Sequence, residues 1–235
     1  MYTAIIFTMN PIKLELEETI GFVCIPKTGG TYLSVNSVPR GYVHDPSNYP
    51  LKVHMPASQV QSIVEEGTPI FTMIRDPYDR ACSEYYFLKS KANASIENFT
   101  WNADTKAKLE PMANSVANIT GYKDFFEKTC VIYDNDMSVE DYLEWTIDNP
   151  TYPFYYDTLE PKDFSLVGIL EDMPKSISLL KSMYGVNAGD GDFNRNSDKP
   201  VGEPYVTSFS RSDFKSRNDI EYMMYQQGLE KFNSL

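Results

Sequence analysis

The sequence predicts an α/β fold with a central parallel sheet and helices on both faces. Three observations support this. Short apolar runs alternate with longer stretches of helical periodicity. Two of those runs end in turns that lead directly into helix-start patterns. The 235 residues, 42% of them hydrophobic, are enough for one sizeable core.

The elements follow in chain order. Strands are expected at Ile20–Ile25, Gly41–His44, Pro69–Ile74 and Phe164–Leu170, each a short apolar run. Helices are expected at Thr31–Ser37, Ala57–Glu66, Tyr78–Lys89, Val139–Ile147, Met173–Tyr184 and Asp213–Phe232. With no internal repeat or low-complexity tract, the chain reads as a single domain, 1–235. The asparagine-rich stretch from Lys91 to Thr120 has few periodic apolar positions. It reads as part of an insertion, about 91–130, over the acceptor side of a site. Asn149–Lys162 is expected as a second acceptor loop, and Gly185–Pro204, rich in Gly, Asn and Asp, as a further long loop.

The segment after the first strand carries the most chemistry: Ile25-Pro26-Lys27-Thr28-Gly29-Gly30-Thr31, followed by Tyr32. Paired glycines let backbone bend sharply and approach a ligand. Amides at the start of the next helix point at an anion, helped by the helix dipole. Lys27 adds a mobile positive charge, and Thr28 and Thr31 add hydroxyls. Such a loop suits phosphate or sulfate. A Walker loop places its lysine after the glycines, whereas Lys27 precedes Gly29 and Gly30, so an ATPase or GTPase reading loses support. A strand-to-helix turn using glycine only for packing is the structural alternative.

The second segment runs from Arg75 through Asp76-Pro77-Tyr78-Asp79-Arg80 to Ser83 and Phe87. Asp76 suits an N-cap and Pro77 the first helical position. Arg75 then sits at a strand's carboxyl end, where ligands bind on open α/β sheets. Arg80 and Ser83, three apart, share a helix face. An arginine fork with a serine hydroxyl would clamp a terminal phosphate. In the alternative, Arg75 pairs with Asp79 and Ser83 is merely exposed.

Together the two segments resemble the sulfotransferases that use 3′-phosphoadenosine 5′-phosphosulfate (PAPS). The wording of Ile25–Thr31 and Arg75–Leu88 is most similar to the Golgi-type carbohydrate branch, the heparan sulfate 2-O-sulfotransferase-like group. Phe164–Met173 and Asn218–Phe232 are similar to that group's late strand and closing helix. The resemblance implies a P-loop-NTPase-like three-layer sandwich. It implies PAPS as donor, its desulfated form PAP as product, and no metal. It also implies donor binding by Lys27, Thr28, Gly29, Gly30, Thr31, Tyr32, Arg75 and Ser83, with Arg195 in a late basic loop.

Sulfuryl transfer needs a base for the acceptor hydroxyl and a cation for the leaving phosphate oxygen. Lys27 is the candidate for the second role. An imidazole has the intrinsic pKa for the first. Only His44 and His54 exist. His54 lies between the two segments and resembles the histidine base of the 2-O-sulfotransferase-like group, so it is preferred. His44 and the carboxylate of Glu84 are the alternatives.

Composition limits the partners. A net charge of −12 disfavours nucleic acid and highly sulfated polymers, both of which need a basic groove. A neutral glycan or small hydroxylated metabolite is the expected acceptor. Tyr152, Tyr155 and Tyr156 could stack on sugar faces or could be core residues. Two distant histidines and three scattered cysteines make no metal site. The start of the chain shows neither a signal-peptide pattern nor a membrane span, and Cys24, Cys82 and Cys130 read as thiols, so a cytoplasmic location is expected, with an excised luminal domain as the alternative. A kinase-type phosphotransferase with an atypical phosphate loop and a non-catalytic nucleotide-binding module are the competing functions.

Overall fold

The computed structural model describes residues 20–29, 54–94, 102–104, 106–107, 110, 120–185 and 207–235. The elements in chain order are β1 (Gly21–Val23), α1 (Ala57–Ile63), β2 (Ile70–Ile74), α2 (Pro77–Ala94), α3 (Thr120–Asp134), α4 (Val139–Asp148) and α5 (Thr151–Tyr156). β3 (Leu166–Ile169), α6 (Met173–Tyr184), α7 (Arg211–Arg217) and α8 (Asp219–Asn233) complete the order, with short 3-10 turns at Pro161–Asp163 and Leu170–Asp172. Among the described residues the strands form one parallel sheet in the order β1-β2-β3. The expected strand Gly41–His44 and helix Thr31–Ser37 lie outside the described residues.

Successive strand residues point to opposite faces, so each strand supplies two cores. Val23, Ile25, Ile70, Ile74, Val167 and Ile169 face one way, against Val60 of α1, the tyrosines of α5 and Phe232 of α8. Phe22, Phe71, Met73 and Leu166 face the other way, against Leu180 of α6. Phe22 and Phe71 are register partners, and their rings stack 4.5 Å apart. Helices thus cover both faces, as expected. A third cluster joins α2, α3, α4 and α7 through Tyr78, Leu88, Ile132, Leu143 and Phe214. At Gly228 a Cβ would stand 2.3 Å from Ile74 Cδ1, so α8 lies on the sheet only because this residue has no side chain.

Local signals set the helix ends. The Ser138 hydroxyl caps α4 by accepting from Asp141 N at 3.1 Å, and the Asp141 carboxylate accepts from Ser138 N at 3.0 Å. Asp172 caps α6, which ends at Gly185 with φ 65°. The expected Asp213–Phe232 helix is two helices. Asn218 between them leaves helical geometry (φ −119°, ψ 55°), and its amide donates to Glu221 Oε2 at 3.4 Å. Two helices were not expected. α3 begins within the stretch read as an insertion and continues beyond it. α5 occupies part of the expected Asn149–Lys162 loop.

Candidate active site

The turn after β1 has strained backbone. Lys27 has φ 66° and Gly29 φ 93°, with Thr28 between them at negative φ. Alternating hand at successive residues is the backbone pattern that can turn consecutive amides toward one point, as in an anion-binding nest. A non-glycine residue in the left-handed region persists only where its surroundings hold it. Here the Thr28 hydroxyl donates to the Ile25 carbonyl at 2.9 Å inside the turn. That commits its only hydrogen, so Thr28 offers a ligand its amide rather than its hydroxyl. The Lys27 ammonium lies 4.1 Å from the centroid of the Phe87 ring on α2. A Cβ on Gly29 would come within 2.8 Å of Met173 and 3.0 Å of Leu170, so the turn rests on the end of β3 and the start of α6.

The second segment starts where β2 ends. Arg75 Nη1 donates to the Lys27 carbonyl at 3.5 Å, which brings the two basic segments together. Asp76 caps α2 by accepting from Asp79 N at 3.2 Å. Asp79 pairs with Arg211 at 2.7 Å, and Arg211 also reaches Asp76 at 2.5 Å. The alternative of an Arg75–Asp79 pair with an exposed Ser83 is therefore corrected: Arg211 takes Asp79, and Ser83 is buried.

Arg80 does not join Ser83 in a clamp. It is fully buried, donating to Glu84 at 2.9 Å and to Glu221 at 3.5 Å. Glu84 also accepts from Lys128 at 3.0 Å and from the Tyr142 hydroxyl at 3.0 Å. Burial would raise the Glu84 pKa, but Lys128 and Arg80 outweigh it and hold the carboxyl at about 2. A carboxylate held that tightly by donors is a poor proton acceptor near neutrality, which removes Glu84 as the alternative base. Lys128 extends the cluster to Asp124 at 3.2 Å, which also accepts from Tyr155 at 3.2 Å. Burial is the largest influence on Asp124 and raises its pKa.

His54 lies just before α1, with Nδ1 2.6 Å from the Cys24 carbonyl at the end of β1. A carbonyl only accepts, so Nδ1 carries the hydrogen of the neutral ring and Nε2 carries the lone pair. The Tyr155 ring stands edge-on to the imidazole, centroids 6.4 Å apart.

The family model for the sulfotransferase domain matches residues 5–153, more than half of the chain. The match spans the β1 turn, His54, Arg75, Ser83 and α2. The chain belongs to the sulfotransferase family. No curated protein matches it. The family's P-loop-like α/β fold agrees with the parallel sheet and flanking helices described above. Sulfotransferase domains generally use PAPS as donor and act on a hydroxylated acceptor.

For this sulfotransferase, the structure brings Lys27, Thr28, Gly29 and Arg75 together at the carboxyl ends of β1 and β2, with His54 beside β1. Gly30, Thr31, Tyr32, Arg195 and His44 lie outside the described residues. Tyr152, Tyr155 and Tyr156 are buried, so they are core residues and not a sugar-stacking face; Phe154 between them is 43% exposed. Sequence reasoning missed what supports Arg75. The Tyr152 hydroxyl accepts from Arg75 N at 2.9 Å and donates to the Arg75 carbonyl, while Glu171 Oε1 accepts from Asp76 N at 2.9 Å. These partners lie far along the chain, and no local pattern marks them. Among the described residues no His, Cys, Asp or Glu cluster could hold a metal, and no helix is long and apolar enough to cross a membrane.

Proposed function

We propose that this chain, as one domain over residues 1–235, transfers a sulfuryl group from PAPS to a hydroxyl of a neutral glycan or small metabolite. Of the sulfotransferase branches, the heparan sulfate 2-O-sulfotransferase-like group has the most similar wording. The observation that carries the reading is the approach of Arg75 to Lys27: an adenosine donor with anionic groups at both its 3′ and 5′ positions needs two anion grips at one place. The nest at Lys27–Gly29 suits the 5′-phosphosulfate, and Arg75 with Ser83 suits the 3′-phosphate.

The donor substrate supplies a sulfuryl group activated by its bond to the 5′-phosphate. His54 Nε2 takes the proton from the acceptor hydroxyl as that oxygen bonds to sulfur. Lys27 stabilises the negative charge that grows on the bridging phosphate oxygen as the sulfur–oxygen bond breaks. PAP and the sulfated acceptor leave, and His54 returns its proton to water. The Cys24 carbonyl keeps the imidazole in the tautomer this requires. The net charge of −12 favours an uncharged acceptor over a polyanion.

Family membership favours sulfuryl over phosphoryl transfer. Thermal shift with PAP, set against ATP plus magnesium, tests the reading. Stabilisation by PAP is expected, and stabilisation by ATP–magnesium alone would contradict it. Transfer from labelled PAPS to a glycan and metabolite panel then names the acceptor, and His54→Ala should keep PAP binding while losing turnover. Full turnover in that variant would move the base elsewhere.

A further inference from the structure

We propose that Tyr152 is a positioning residue for donor selection, fixing Arg75 so that the site distinguishes a nucleotide carrying a 3′-phosphate from one without it. The inference rests on the assignment of Arg75 to the 3′-phosphate.

Arg75 is the first residue beyond β2, where the sheet ladder stops supplying backbone partners. One phenol takes over both roles there: the Tyr152 hydroxyl accepts from Arg75 N and donates to the Arg75 carbonyl. Fixing both backbone polar groups of one residue fixes the direction in which its side chain leaves the strand. Tyr152 is itself immobilised. Its ring is fully buried, stacks on Tyr156 at 5.9 Å and lies 5.7 Å from the Arg80 guanidinium. Its backbone N–H donates to Glu221 Oε1 at 3.0 Å, as does that of Thr151, so α8 anchors the first turn of α5. The chain of contacts runs from Glu221 through Tyr152 to Arg75 without a solvent-exposed link. An arginine launched from a fixed backbone has less freedom left to lose when it forms charge-assisted hydrogen bonds. Neighbouring Tyr156 provides the contrast, because its buried hydroxyl has no hydrogen-bond partner among the described residues.

Calorimetric titration of PAP and of adenosine 5′-phosphate into wild type, Tyr152→Phe and Tyr156→Phe tests the proposal. The wild type should prefer PAP, and Tyr156→Phe should keep that preference. Tyr152→Phe should lose about tenfold of it through weaker PAP binding, the loss expected for a hydrogen bond to a charged group, while adenosine 5′-phosphate binds as before. Equal preference in Tyr152→Phe and wild type would overturn the role of Tyr152. No preference in wild type would instead overturn the Arg75 assignment. The wild type gives a second readout that needs no variant: PAP should slow amide exchange at Arg75 more than adenosine 5′-phosphate does. Equal slowing would also overturn the proposal.

Discussion

The two basic segments converge on one place but are built differently. The turn after β1 is made locally: a left-handed lysine, a left-handed glycine and a threonine hydroxyl bonded three residues back. The segment after β2 is made at long range: Tyr152 holds Arg75, Glu171 caps Asp76, Arg211 neutralises Asp79, Lys128 pairs with Glu84 and Glu221 pairs with Arg80. Sequence-local construction makes the first segment easy to recognise. Long-range construction makes the second easy to damage from elsewhere in the chain.

Substitutions can break that contrast, beginning with the largest expected effect. Lys128→Met should leave Glu84 and Asp124 without their shared cation and cost about 3–5 kcal/mol, the range for removing one partner of a buried ion pair. Chemical denaturation measures it, and a loss below 1 kcal/mol would mean the cluster does not support α2. Lys27→Ala should do the reverse, lowering turnover about 10²–10³-fold, as for loss of one transition-state donor. If Lys27 serves the donor, the variant's melting temperature should stay near that of wild type, although the Phe87 contact is lost.

Gly29→Ala should cost about 1–3 kcal/mol from its left-handed φ alone, and the close approach to Met173 adds to that. An unchanged melting temperature would show that the turn is not strained. Acid gives a smaller, graded effect. The Glu84 pKa in the folded chain, about 2, is below its ordinary value, so its stabilisation is complete above the ordinary carboxylate range and is lost as pH falls toward 2. Asp124 is shifted the other way and partly offsets this, because protonating it favours the folded state. Glu84→Gln should therefore flatten the fall in melting temperature on acidification. Tyr156→Phe should be within about 0.5 kcal/mol of wild type or slightly more stable, since no partner among the described residues is lost.

The same contrast explains how much the sequence disclosed. Strand runs such as Ile70–Ile74 are apolar on both faces, and the Asp76-Pro77 pair marks where α2 begins. Both were legible, as were the turn after β1 and the place of Arg75 at the end of β2. The helix α3 was not, because it turns Lys128 inward to meet Glu84, which breaks the apolar periodicity a surface helix shows. Nor was α5, six residues with Pro153 in the first turn, too short for the i, i+3, i+4 spacing of its three buried tyrosines to mark a helix. Arg80 looked like a ligand because it lies three residues from Ser83 on one helix face. Its burial depends on Glu221, 141 residues away, which no spacing rule reaches.

The most direct test is calorimetric binding of PAP to wild type, Lys27→Ala and Arg75→Ala, each compared with adenosine 5′-phosphate. If the two segments hold opposite ends of one donor, both variants bind PAP more weakly, but only Arg75→Ala loses the preference for the 3′-phosphate. Wild-type affinity in either variant, or an intact preference in Arg75→Ala, would contradict it.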